Sequence, residues 1–277
     1  SLIAWWPANG SDLDLMHGLK VERFNALTYA SGQVGLAFSF NGSNEFGEVA
    51  AAPSIDIGTS PAGLTIEFWA KPGRVADSQN LLTWGTNTNT GAALMQNHFG
   101  TGLYVFLRDT GGTDHTIAYG NGDFFTTGAW QHVAVTYDKT TGIARIYRNG
   151  VLMLEQNLGV FTPQTSLPLT FGASLKDGNY YQGALDEISL YNRPLTLAEI
   201  QSVYNAGTIG KAADGNQPPT VKAGPDIALP NTSAVATLAG VATDDGQPSG
   251  LTFTSQWSKV SGPGTVTFGN LGLPATT

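Results

Sequence analysis

The sequence predicts an all-β protein: one large antiparallel β-sandwich ending in a short helix, then part of a second, smaller β-domain. Three observations carry this. Short apolar segments recur at intervals of roughly ten residues, separated by Gly, Asn, Asp, Ser or Pro, the spacing of a sandwich or barrel. One pair of segments is joined by Asn149-Gly150, the strongest short hairpin signal. The chain of 277 residues is 41% hydrophobic but only 12% charged, so Ser, Thr, Asn, Gln and Gly must supply the polar surface of many short strands and turns. That apolar content also excludes a disordered chain.

The clearest strand segments are Leu36–Phe40, Leu64–Lys71, Leu103–Arg108, Gln131–Asp138, Ile143–Arg148, Val151–Gln156, Pro168–Gly172 and Ala184–Tyr191. Both central residues of a type I′ turn need positive φ, which Asn and Gly tolerate best, so Ala144–Arg148 and Val151–Glu155 form a hairpin. Thr196 and Glu199 have the spacing of a capping box. Leu197, Ile200, Val203 and Tyr204 then share one helical face, and Gly207 ends the helix. Residues 208–219 read as a linker stiffened at Pro218-Pro219. New strand signals follow at Thr220–Ala223, Ala234–Leu238, Thr252–Val260 and Thr265–Phe268. The expected domains are therefore 1–207, a linker at 208–219, and 220–277.

Net charge is −8 with 13 Lys and Arg and no basic run, which argues against nucleic acid and anionic membranes as partners. Acidic surfaces suit calcium and neutral or cationic ligands, but more often they serve solubility alone. With no cysteine, disulfides and thiolate chemistry are excluded. No stretch is long and apolar enough to span a bilayer as a helix, and no leader pattern is visible. The chain starts at Ser1 without Met, so the natural N-terminus is expected to have been removed or to lie upstream.

Six segments in order resemble the laminin G-like, concanavalin A-like jelly-roll domains of bacterial surface and secreted proteins. They are Ile3-Ala4-Trp5-Trp6-Pro7, the run from Ser31 to Gly42, Leu64-Thr65-Ile66-Glu67-Phe68-Trp69, the run from Trp130 to Asp138, Tyr147-Arg148-Asn149-Gly150, and the run from Gly183 to Leu195. The resemblance covers residues 1 to about 207 and implies a secreted or cell-surface location. Residues 218–277 resemble the first part of an immunoglobulin-like module of the PKD type, through Asn216-Gln217-Pro218-Pro219, Ala223-Gly224-Pro225-Asp226 and the run from Trp257 to Gly264. On that resemblance the second domain is expected to lack its closing strand pair.

The first resemblance implies one structural Ca²⁺, and the matching positions are Asp12, Asn41, the carbonyl of Gly42, and Asp186, with Asp14 and the His17 backbone second in rank. The segment Ser11 to Gly18 departs from the family's more polar loop. The competing roles are a turn cap for Asp12 and an arginine pair for Asp186. Some sandwiches of this kind are glycanases, which place two carboxylates across the scissile bond. Here Leu64–Lys71 offers only Glu67, Gln131–Asp138 offers only Asp138, and Asp186-Glu187 are adjacent, which in a regular strand sends them to opposite faces. The four histidines lack metal-ligand spacing, and His132 reads as a structural, hydrogen-bonded residue. No catalytic motif is expected.

Sugars stack on aromatic faces and hydrogen-bond to amides and carboxylates, so loop aromatics are the binding candidates: Trp84, His98, Tyr104, Phe124, Phe125, Tyr180 and Tyr181, with Asp177 and Asn179 as polar partners and Asp109 to Asp114 as a source of acceptors. Trp5, Phe38, Phe40, Phe68 and Trp130 are assigned to the core. The leading expectation is a monomeric, non-catalytic module binding a polysaccharide or glycoconjugate with a structural calcium ion. The alternative is a protein–protein adhesion or spacer module, and a glycanase ranks third.

Overall fold

The computed structural model describes residues 1–100, 102–120, 123–210, 220–229, 235–243, 255–270 and 272–277. The chain divides into two compact units, Ser1–Lys211 and Ala212–Thr277. Strands are numbered along the chain.

The first unit is a sandwich of two antiparallel sheets. One sheet runs β13 (Val151–Asn157), β12 (Ile143–Arg148), β11 (Gln131–Asp138), β6 (Gly63–Pro72), β17 (Gln182–Tyr191), β4 (Leu36–Asn41) and β3 (Thr28–Ser31), with β1 (Leu2–Trp6) also paired to β17. The other runs β10 (Asp114–Tyr119), β9 (Leu103–Arg108), β8 (Thr90–Gln96), β7 (Gln79–Gly85), β14 (Leu169–Phe171), β5 (Phe46–Val49) and β2 (Val21–Phe24). A minimal hairpin of β15 (Ala173–Ser174) and β16 (Asn179–Tyr180) packs on β7. The eight strands legible in the sequence all form. The Asn149-Gly150 turn has φ of 51° and 74°, as a type I′ hairpin requires.

Strand alternation builds the core. On β6, Leu64, Ile66, Phe68 and Ala70 point inward, and on β9 Leu103, Val105 and Leu107 do. Trp6 meets the edge of Phe171 at 5.3 Å between the sheets, and Phe38 lies 6.0 Å from the same ring. Trp5, Phe38, Phe40 and Phe68 are buried as assigned, whereas Trp130 sits half-buried at the entrance to β11, outside the core. The outer face of β6 is closed over by α1 (Leu197–Ala206), where Trp69 stacks on Tyr204 at 5.7 Å. Beneath that layer Glu67 Oε2 meets His132 Nε2 at 3.0 Å, both side chains fully buried, which makes His132 the structural residue its position suggested. The helix carries the full capping box of Thr196 and Glu199. Arg193 holds Glu199 in a bidentate pair at 2.7 and 3.0 Å and is the main reason its carboxyl falls to about 2.

Strand β17 pairs with β6 along one edge and shares its other edge between two partners. Residues 182–185 pair with β4, and residues 188–191 pair with β1. The changeover is a bulge, with Glu187 in the left-handed region at φ 55°. The regular alternation expected for Asp186-Glu187 is therefore interrupted, and both side chains are buried. Asp186 Oδ2 accepts from the backbone N–H of Gln33 and Val34, each at 2.9 Å, and Glu187 Oε2 accepts from Trp5 Nε1 at 3.1 Å. A Cβ at Gly32 would lie 2.6 Å from Asp186 Oδ2, so only glycine lets the turn close on the carboxylate. Burial pushes Asp186 up from 3.8 to about 7, outweighing the amide donors.

Asp14 organises the loop that enters the second sheet. Its carboxylate is 2% exposed and accepts from the N–H of Trp5 (3.1 Å), Met16 (2.8 Å), His17 (2.8 Å) and Leu19 (3.1 Å).

The second unit, among its described residues, pairs β18 (Thr220–Lys222) with β20 (Val241–Thr243) and β19 (Leu238–Ala239) with β21 (Ala275–Thr276). Trp257 Nε1 donates to the carbonyls of Leu273 and Pro274, each at 3.1 Å. Residues 255–260 and 265–268, read as strands from the sequence, carry no ladder pairing. The expected Pro218-Pro219 exit, Ala234 and residues 252–254 lie outside the described residues.

Two stability outcomes are expected. Asp14→Ala removes four charge-assisted bonds, one of them to the buried Trp5 N–H, and should cost about 3 kcal/mol in urea denaturation; a loss under about 1 kcal/mol would contradict the role. For Asp186, a folded value above 3.8 means that stability present at low pH is lost as pH rises towards 7. Asp186→Asn should remove that slope, so the variant's stability relative to the parent should grow between pH 4 and 7 and then level off. A pH-independent difference would contradict it.

Candidate functional site

The outer face of the seven-stranded sheet carries an open groove of about 420 Å³ over β7 to β10. It follows directly from period-2 patterning. With Leu103, Val105 and Leu107 in the core, Tyr104, Phe106 and Arg108 must face outward. Ladder pairing sets Met95 and Ala93 of β8 opposite Tyr104 and Phe106, and Asp114 of β10 opposite Arg108. The floor is thus an apolar strip along β8 and β9 with an ion pair at one end, Arg108 Nη1 to Asp114 Oδ1 at 3.0 Å.

One wall is aromatic. His98 lies 3.9 Å from Phe99 and meets Tyr104 at 4.8 Å, and Phe99 meets Tyr104 edge-on at 5.8 Å. His98 Nδ1 sits 2.9 Å from Ser78 Oγ. Burial pulls His98 below its ordinary value while the Asp177 charge opposes it, which favours the neutral ring. The opposite wall is polar, made by Lys176, Asp177 and Asn179 of the β15–β16 hairpin, with Asp177 Oδ2 accepting from Ser174 Oγ at 2.8 Å.

Of the residues singled out in the sequence, His98, Tyr104, Asp177 and Asn179 come together on this groove. Three do not. Trp84 and Tyr181 are fully buried in the core, Trp84 because the alternation that turns Thr83 outward turns it inward. Tyr180 is half-buried beyond the groove, 6.5 Å from Phe46. Phe124 and Phe125 are also core residues, and of the 109–114 loop only Asp114 reaches the groove. Asp109 instead accepts from the Thr113 N–H and contacts His115 Nε2 at 3.1 Å, which hold its carboxyl low. Phe99, Phe106, Arg108 and Asn80 were missed. The alternation of β9 could have found Phe106 and Arg108; nothing local marks Asn80.

The four positions implied for calcium do not converge. Asn41 is the register partner of Gln182, four residues from Asp186 along β17, about 13 Å in a strand. Ligands to one Ca²⁺ must all lie within about 2.6 Å of it. Asn41 Oδ1 instead accepts from the N–H of Ser43 and Asn44, and the Gly42 carbonyl accepts from Arg74 Nη2 at 3.4 Å. Asp12 pairs with Arg23 Nε at 3.0 Å and accepts from the Tyr29 hydroxyl. The two competing roles are exchanged: Asp12 has the arginine, and Asp186 fastens a turn. No cluster of three or more His, Asp or Glu suited to a metal occurs among the described residues.

Residues 27–201 match the family model described as the concanavalin A-like lectin/glucanases superfamily. No curated protein matches the sequence. Among solved structures, the binding domain of Paraclostridial Mosquitocidal Protein 1 is 17% identical with a TM-score of 0.60, over 74% of this chain and 52% of that one. Domain 4 of AbnA, a GH43 extracellular arabinanase from Geobacillus stearothermophilus in complex with arabinotriose, is 17% identical with a TM-score of 0.58, over 73% of this chain and 97% of that one. The receptor binding domain of botulinum neurotoxin C/D mosaic serotype is 16% identical with a TM-score of 0.59, over 74% and 51%. The chain thus spans about half the length of the toxin domains. No helix among the described residues is long and apolar enough to cross a membrane.

Proposed function

We propose that this chain, which belongs to the concanavalin A-like lectin/glucanases superfamily, is a non-catalytic module of an extracellular protein that holds a carbohydrate in the groove over β7 to β10. The observation that carries the reading is the groove itself: an aromatic wall of His98, Phe99 and Tyr104 faces an amide- and charge-bearing wall of Lys176, Asp177 and Asn179. Sugars present flat C–H faces and a rim of hydroxyls, which fits apolar rings on one side and hydrogen-bonding groups on the other. The arabinotriose bound by the AbnA domain supports the same class of ligand.

The groove's carboxylates are committed, Asp114 to Arg108 and Asp177 to Ser174, so neither is poised as an acid or nucleophile. The buried Glu67–His132 pair lies beneath the Trp69–Tyr204 layer, away from any substrate. A second reading, adhesion to a protein, draws on exposed Val151 and Leu152 of the edge strand β13.

Affinity electrophoresis and calorimetry across a polysaccharide panel test this. At least one polysaccharide should bind, Tyr104→Ala should weaken it about tenfold, close to 1.4 kcal/mol, and Val151→Ser should leave it unchanged. Binding lost with Val151→Ser but kept with Tyr104→Ala would favour the adhesion face and contradict the groove.

A further inference from the structure

Resting on the carbohydrate reading, we infer that the ligand is a neutral sugar chain and that the exposed ring of Phe99 is the platform on which it stacks.

The charge of the lining decides the class. Two cations, Arg108 and Lys176, are matched by two carboxylates, Asp114 and Asp177. The Arg108 guanidinium already donates to Asp114 at 3.0 Å, and burial of His98 disfavours a third cation. A site for a uronate or sulfate needs an uncommitted arginine or a surplus of positive charge, and the groove offers neither. The chain's net charge of −8 adds long-range repulsion of any polyanion.

Phe99 is the second observation. It is 81% exposed and sits at φ 53°, ψ 27°, between Asn97 at φ 49° and Gly100 at φ 77°. A bulky residue in the left-handed region is strained, and a large apolar ring in water brings no burial in return. Folding alone would favour glycine here. Strain of this kind collects at ligand sites, where the surrounding structure holds a side chain for use. The Phe99 ring stands at the lip of the groove beside His98 and Tyr104, where a sugar face entering the groove meets it first.

The test measures the full chain against neutral polysaccharides (arabinan, galactan, a β-glucan) and anionic ones (polygalacturonate, hyaluronan, heparin) at low and high salt. It includes Phe99→Gly and the groove variant Tyr104→Ala, with affinity and Tm read for each. Neutral ligands should bind with little salt dependence. Phe99→Gly should lose about tenfold or more in affinity while its Tm stays level or rises by about 2–4 °C from relieved strain. Stronger, salt-sensitive binding of an anionic polysaccharide would overturn the neutral class and leave the carbohydrate reading standing. Full affinity in Phe99→Gly beside loss in Tyr104→Ala would overturn the role of Phe99. Binding to no polysaccharide would instead overturn the carbohydrate reading and this inference together.

Discussion

The bulge at Asp186-Glu187 lets a single strand serve as the seam of the eight-stranded sheet. A regular β17 would offer β4 and β1 one continuous edge, and the two would compete for it. The left-handed turn at Glu187 breaks that edge into two short ones, each with its own register. The two side chains then fasten what the break has separated: Asp186 holds the turn that follows β3, and Glu187 holds Trp5 of β1. With β1 fixed, Trp6 reaches across to Phe171 and the two sheets register on one another. The outer face of the second sheet inherits its position from that contact, and the groove lies on that face.

Much of this architecture could be read from residues alone. Strands with clean alternation and a strong turn, such as β11, β12 and β13, stood out because side-chain period and turn chemistry agree. Other strands did not. β8 reads Thr-Gly-Ala-Ala-Leu-Met-Gln, small and helix-tolerant residues whose strand conformation is imposed by pairing with β7 and β9 on both sides. The β17 bulge was also invisible, since glutamate does not favour positive φ; tertiary bonds hold Glu187 there. That is why two carboxylates expected on opposite faces are both buried.

The binding face shows the same division. Residue chemistry pointed to His98, Tyr104, Asp177 and Asn179, because a sugar is recognised by aromatic faces and by amide or carboxylate groups. The same rule misplaced Trp84 and Tyr181, which fill the core, since loop composition does not encode which face of a neighbouring strand is closed. Phe106 and Arg108 follow only once β9 is known to have its other face buried. The calcium positions were matched one by one, and only the register of β17 against β4 shows how far Asn41 lies from Asp186.

The groove over β7 to β10 as the place where a sugar chain is held is tested most directly by titrating isotope-labelled protein with a bound neutral oligosaccharide and mapping the amide shifts. The shifts should fall on β8, β9, the Asn97–Gly100 turn and the segment from Ser174 to Tyr180, leaving β13 and α1 unmoved. Shifts concentrated on β13 and α1, with the groove silent, would contradict the account.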